Sequence, residues 1–273
     1  EDGKLVAAGG SEGGPAQGSF ALVRYLPDGS LDPSFAGTGA VITPINIGNI
    51  SALALLQQRD GKLLAAGHYN ANGFALVRYN EDGSLDSAFG QGNGYVVTAL
   101  GGRCWGTTVA ELPDGRLVVA GHRDDRNAIT LLRYWPDGSL DETFGDRGVV
   151  TTTLGEKVSQ ANSLLVQADG KLVVAGTTSQ GGLQLIAVLR YLPDGTPDSG
   201  FGKGGVVTLA SDAGANARSV VQQADGSLVV AARRQNADKQ LSGILVHLLP
   251  DGSVDTLFGE NGMSEARAAR SLL

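Results

Sequence analysis

Arg24-Tyr25-Leu26-Pro27-Asp28-Gly29 is the phrase on which the fold turns. An Arg-Tyr pair followed by Asp-Gly returns at Arg78, Arg133 and Arg190, and in degenerate form at His247-Leu248. The starts lie 54, 55, 57 and 57 residues apart. Two further markers keep the same order. Asp-Gly followed by Lys, Arg or Ser and then Leu begins at Asp2, Asp60, Asp114, Asp169 and Asp225, and a Leu-Asp-x-x-Phe-Gly-like phrase places phenylalanines at Phe35, Phe89, Phe144, Phe201 and Phe258. Self-similarity at a fixed period is the signature of a repeat architecture.

Each unit carries four short hydrophobic runs separated by turn residues, the pattern of four strands. In the second unit the runs are Ser51 to Gln58 (A), Lys62 to Gly67 (B), Phe74 to Tyr79 (C) and Tyr95 to Leu100 (D). Four strands in about 55 residues, apolar on inner and outer strands alike, suit sheets that bury both faces against their neighbours. The expectation is an all-β, five-bladed β-propeller with four antiparallel strands per blade, filling residues 1–273 as a single domain. The ends add a detail. The sequence starts just before a B strand, and its tail, Arg270-Ser271-Leu272-Leu273, matches Arg218-Ser219-Val220-Val221 of an A strand. This phase predicts closure by pairing of the C-terminal strand with the N-terminal blade, which removes exposed edges; the alternative is five repeats taken from a longer array.

Composition agrees and excludes several classes. The 41 glycines are about twice the usual share, as tight turns require. Net charge is −7 with no basic stripe, which argues against nucleic-acid binding. Apolar runs such as Ala52 to Leu56 are strand-sized, too short for a membrane-inserted helix. Cys104 is the single cysteine, so no internal disulfide forms.

The phrases Asp-Gly-Lys-Leu-Val-Ala-Ala-Gly and Phe-Ala-Leu-Val-Arg-Tyr-Leu-Pro-Asp-Gly-Ser-Leu-Asp-Pro-Ser-Phe resemble the bacterial delta-60 repeat family, an uncharacterised β-propeller domain. The resemblance implies a propeller in exported or surface-associated bacterial proteins, hence an extracellular or cell-surface location. It supplies no agreed activity and no catalytic residues. The fifth unit departs from the pattern at His247-Leu248 and Gly262-Met263-Ser264.

Residues present in every unit must act five times, which favours a role inside the blade. The Asp-Gly pairs after strand A fit two-residue hairpin turns, and Pro27-Asp28-Gly29 fits a turn with Pro fixing φ. The phenylalanines are expected to plug the gaps between blades. Arg24, Arg78, Arg133 and Arg190 are expected to pair with Asp32, Asp86, Asp141 and Asp198. Asp28 and Asp32 are four apart, which is not a calcium-loop spacing.

The A-B and C-D turns carry these uniform phrases, whereas the B-C and D-A loops vary in length and sequence. Blade-specific chemistry needs blade-specific residues, so the variable loop face is the candidate binding face. On it lie Arg103, Cys104 and Trp105 at the start of one A strand, His68 and His122 at equivalent places after strand B, and Tyr69, Arg123, Asp124, Asp125, Arg126, Arg233 and Arg234. The ligand-binding candidates are Trp105, Arg103, His68, Tyr69, His122, Arg123, Asp124 and Arg233. A tryptophan flanked by Arg and Asp can stack on a sugar ring or clasp a peptide; the structural alternative is that Trp105 fills the mouth of the ring.

Enzymatic patterns are thin. The A strands offer one carboxylate, Glu111, where a glycosidase needs a pair. His122 alone has nearby acids, Asp124 and Asp125, for a Ser-His-Asp relay. Zinc on His68 and His122 would need Asp124 or Cys104 as a further ligand. The expectation is therefore a binding or scaffold propeller without metal or cofactor, a monomeric domain alone or within a larger protein, recognising a protein, peptide or glycan. The alternative is a hydrolase, glycosidase-like or esterase-like, at the channel mouth on the same face.

Overall fold

A computed structural model describes residues 2–11, 18–45, 50–70, 72–210, 214–235 and 241–266. The first sheet holds β1 (Leu5–Ser11), β2 (Ser19–Tyr25) and β3 (Ala40–Thr43), and the second β4 (Ile50–Gln57), β5 (Leu63–Tyr69), β6 (Gly73–Tyr79) and β7 (Tyr95–Ala99). The third holds β8 (Cys104–Glu111), β9 (Leu117–Arg123), β10 (Ala128–Tyr134) and β11 (Val149–Thr153). The fourth holds β12 (Ser159–Val166), β13 (Leu172–Gln180), β14 (Leu183–Tyr191) and β15 (Val206–Leu209), and the fifth β16 (Ala215–Gln222), β17 (Leu228–Gln235), β18 (Leu241–Leu248) and β19 (Met263–Ala266).

The last four sheets are antiparallel A-B-C-D meanders, and β1 to β3 are B, C and D of the first. The proposed closing strand at Arg270–Leu273 lies outside the described residues. By internal contacts the chain divides into two compact units, Glu1–Asp125 with Leu131–Glu142 and Arg126–Thr130 with Thr143–Leu273. The same devices recur inside each.

The B and C strands of the second, third and fourth sheets are near-continuous apolar runs because both of their faces are covered; β6 and β10 are buried at every residue. Phe35, Phe89, Phe144 and Phe201 have no exposed surface. Each phenylalanine lies against the C-D-turn glycine of the following sheet, so that a Cβ on Gly138 would sit 2.7 Å from Phe89 and one on Gly195 2.8 Å from Phe144. The plug is therefore a ring on a glycine. Phe258, in the divergent unit, is half-buried.

The turns correct one expectation. Gln58 and Lys62 close the A-B turn (N···O 2.8 Å), with Gly61 N bonded to Gln58 O at 3.0 Å; Leu26, Ser30 and Gly29 repeat this in the C-D turn. These are three-residue loops, a type I turn completed by a left-handed glycine, not two-residue ones. Only the glycine adopts positive φ, +86° at Gly61 and +84° at Gly29. Asp60 and Asp28 instead use their carboxylates to receive the backbone N–H two residues on, at 3.1 and 2.9 Å.

The Arg-Tyr phrase proves to be a two-way staple. Arg24, Arg78, Arg133 and Arg190 bind Asp32, Asp86, Asp141 and Asp198 at 2.8, 2.7, 2.6 and 2.8 Å. Arg24 and Arg78 also donate to Glu81 O and Pro136 O of the next sheet, as Arg190 does to Pro250 O at 2.5 Å. The guanidinium lies 4.6, 4.5 and 4.4 Å from the rings of Phe35, Phe89 and Phe201. The tyrosine reaches the other way: Tyr79 meets Thr43, Tyr134 meets Thr98 and Tyr191 meets Thr152 of the preceding sheet at 2.7, 2.8 and 2.7 Å.

At the other end of the sheets, every described A strand carries a β-bulge at the same place, after Ala52, Gly106, Ala161 and Ala217. The bulge brings the A-strand backbone onto the B strand. A Cβ at Gly67, Gly121 or Gly176 would lie 1.8, 1.8 or 1.9 Å from the oxygen of Ser51, Trp105 or Gln160. That contact explains the Ala-Gly step inside those three B strands; the fifth holds Ala232 in place of the glycine.

Candidate functional site

Just beyond the bulge, one cross-strand pair per sheet occupies equivalent positions: Ser51 opposite His68, Trp105 opposite His122, Gln160 opposite Thr177 and Asn216 opposite Arg233. The sequence candidates fall on this row or next to it. Four of them come together in the first unit.

Trp105 and His122 stack with centroids 4.8 Å apart and planes inclined by 30°. The Arg103 guanidinium lies 5.3 Å from the Trp105 ring and 4.0 Å from Asp124, whose Oδ1 is 3.8 Å from His122 Nε2. Asp124 to Arg126 form one 3-10 turn, anchored by Asp124 N donating to Arg103 O at 2.9 Å. Burial pushes the His122 pKa below the usual imidazole value, partly offset by Asp124, so the ring is neutral at pH 7. A neutral ring pointing its proton towards Asp124 leaves Nδ1, which is buried and has no partner among the described residues, as a bare acceptor.

The remaining candidates make other contacts. Arg123 is spent on architecture: it donates to Leu100 O and Gly101 O at 3.1 and 3.0 Å and pairs with Asp125 at 3.0 Å, tying down the D-A loop. His68 lies across from Ser51 on the second sheet; burial lowers its pKa too, and its Nδ1 is likewise buried without a partner among the described residues. Tyr69 packs against the core of the first unit. Cys104 is fully buried, its thiol pKa raised by desolvation, and bridges to Asn72. Among the described residues no group of three His, Cys, Asp or Glu side chains is placed to hold a metal ion. Arg233 belongs to the second unit.

Glu111 lies at the uniform end, where its carboxylate receives Gln58 Nε2 at 3.3 Å and Arg59 N at 3.0 Å. A constellation missing from the sequence reading appears in the fifth sheet. Asp255 Oδ2 lies 2.8 Å from His247 Nδ1, and His247 Nε2 lies 3.0 Å from Ser227 Oγ, the order of a Ser-His-Asp relay. Its chemistry runs the other way. Ser227 is fully buried, and its single hydroxyl proton goes to Asp225 Oδ1 at 2.6 Å. The hydroxyl proton that a catalytic base would take from Ser227 is thus committed to a carboxylate two residues away. His247 stands where Arg78 stands in the second unit, and Ser227 where Lys62 stands. This paired replacement within one unit is the signal that identifies it as a variant staple.

Two clefts of about 400 and 530 Å³ repeat one geometry between an outer strand and the following C-D turn, the first lined by Val96, Thr98, Tyr134 and Gly138 and the second by Val41, Thr43 and Gly83. They are products of the repeat. Among the described residues no helix is long and apolar enough to cross a membrane.

No protein of curated function matches the sequence. Among solved structures, one of a protein of unknown function from Dyadobacter fermentans aligns over 98% of this chain and 80% of its own, at 13% identity and TM-score 0.50, a likeness of fold. Weaker alignments reach the intramolecular trans-sialidase of Ruminococcus gnavus (10% identity, 83% of this chain and 48% of that one, TM-score 0.48) and a GH43 endo-arabinanase of Bacillus licheniformis (13% identity, 80% of each chain, TM-score 0.43). The model of the "domain of unknown function (DUF5122) beta-propeller" matches residues 1–35, 58–89, 112–144, 167–201 and 223–258, one segment in each repeat and more than half of the chain. With five matches in register with the five sheets, the chain belongs to this uncharacterised β-propeller family.

Proposed function

We propose that the chain is a binding module and that it meets a glycan or peptide at the Arg103–Trp105–His122–Asp124 cluster. One observation carries this: an indole and an imidazole are stacked at the end of the sheet where sequence differs between repeats, under an arginine that is barely held. The Arg103 side chain is 70% exposed and its ion pair with Asp124 spans 4.0 Å. Such a pair contributes less than about 1 kcal/mol, so a ligand displaces the guanidinium at small cost and gains the aromatic surface beneath it. At the uniform end, by contrast, the arginines, lysines and aspartates are already committed to one another.

The test is a glycan and peptide array probed with the wild type and with Trp105→Ala, both verified as folded by their melting curves. Ligands read by the stack are expected to lose about tenfold in affinity in the variant, the size of an aromatic contact. Equal signal from both proteins removes Trp105 from the site.

A further inference from the structure

The second unit carries a pocket of its own at the variable end of its sheets. It encloses about 220 Å³, below the range of drug-sized sites and suited to one small group. Its lining runs from Gly182, Leu183 and Gln184 across to Asn216, Arg233 and Leu241. Unlike the repeated clefts, it is built from residues that the other described sheets do not carry at the same positions.

Two of its groups are chemically unfinished. Arg233 is exposed, and among the described residues its guanidinium makes no hydrogen bond or ion pair. Asn216, directly across the strand pair, donates through Nδ2 to Gln184 Oε1 at 3.2 Å, while its Oδ1 is buried with no partner among the described residues. Turning both amides over satisfies Oδ1 and orphans Nδ2 instead, so either orientation leaves one buried polar atom of Asn216 open. A hydroxyl completes both cases, because it donates and accepts.

The guanidinium, unpaired among the described residues, asks for an anion. A carboxylate matches its planar fork, and among the described residues the pocket brings a single arginine, where a phosphate dianion calls for more charge. Leu183 and Leu241, 41% and 54% exposed, flank the polar floor with apolar surface. Gly214, at φ +106°, holds a backbone conformation that L side chains rarely adopt, beside the Gln184 backbone at the edge of the pocket.

We propose that this pocket is a second site, separate from the Trp105 cluster, that takes one sugar unit bearing a carboxylate, with the carboxylate on Arg233 and a neighbouring hydroxyl on Asn216. Titrations of the full chain with glucuronate, glucose and acetate, followed by amide and side-chain nitrogen resonances, test it. Glucuronate is expected to shift the Asn216 and Arg233 signals and to bind at least about tenfold more tightly than glucose or acetate. Arg233→Ala is expected to weaken glucuronate about tenfold, Arg233→Lys to restore part of the loss, and Asn216→Ala to bring glucuronate towards acetate. Trp105→Ala is expected to leave glucuronate binding unchanged. Binding of acetate equal to glucuronate, no shift at either residue, or a loss that follows Trp105 and spares Arg233 overturns the proposal.

Discussion

Replacing Arg78 by methionine isolates the staple that the repeat carries in four of its five copies. Arg78 and Asp86 are each 5% exposed, and methionine keeps an unbranched apolar stem while removing the charge. Breaking one half of a buried pair costs about 3–5 kcal/mol. Lys62 Nζ stays 2.9 Å from the same carboxylate and reduces that figure, whereas the lost donor to Pro136 O and the lost contact with the Phe89 ring each add about 1 kcal/mol. The net expectation is about 3 kcal/mol, which for a chain of this size lowers Tm by about 6–9 °C. Calorimetric melts and urea titrations of Arg78→Met, Asp86→Asn and the double variant read it. Asparagine can still accept the Ala88 N–H that Asp86 receives at 3.0 Å, so the double variant is expected to lose less than the two single variants together. A single variant melting within about 2 °C of wild type, or strict additivity in the double, refutes the staple.

Acid should unfasten the same network. The Ser34 hydroxyl is the largest influence holding Asp32 below the usual carboxylate range; burial raises Asp86 and Asp198, but backbone N–H groups and the Arg and Lys partners outweigh it. Folded values below the unfolded value of about 3.9 give stability that is complete above that pH and is lost as pH falls through the folded values, so the urea midpoint is expected to decline below about pH 4; a midpoint that rises on acidification contradicts this. Ser227→Ala takes a hydrogen-bond partner from His247 and one from Asp225, and is expected to cost about 1–2 kcal/mol in urea unfolding. An unchanged midpoint, with loss of an esterase activity present in the wild type, would return Ser227 to a catalytic role.

The five-fold division, the four strand types and the Arg-Asp pairing were legible because each rests on a local phrase repeated at fixed spacing. Strand limits shifted by one or two residues, as with Leu63–Tyr69 against the expected Lys62 to Gly67, because strand ends depend on turn geometry that the residue types leave open. The turn length was misread for a related reason: Asp-Gly serves two-residue and three-residue hairpins alike, and Asp60 keeps negative φ by turning its carboxylate onto a backbone N–H. Of the candidate site, Arg103, Trp105, His122 and Asp124 are together, yet nothing in the sequence separates Arg123, committed to loop carbonyls, from Arg103, one strand away and nearly free. Ser227 and His247 are 20 residues apart, and their joint departure from Lys and Arg becomes meaningful only once β17 and β18 are paired.

The bulge explains why variability gathers where it does. In an unbroken strand, alternation commits every second residue to the buried face, and a shift of one residue reverses that commitment. The extra residue after Ala52, Gly106, Ala161 and Ala217 resets the alternation, and the glycine opposite three of these bulges absorbs the close approach. Residues on the far side of the reset are released from the apolar pattern that fixes the rest of the strand. That is where Ser51, Trp105, Gln160 and Asn216 stand, as a hydroxyl, an indole and two amides on one repeated backbone, with His68, His122, Thr177 and Arg233 opposite. The repeat holds the frame constant through its staples at one end, and one bulge per described A strand frees a pair of positions at the other for chemistry that differs from sheet to sheet.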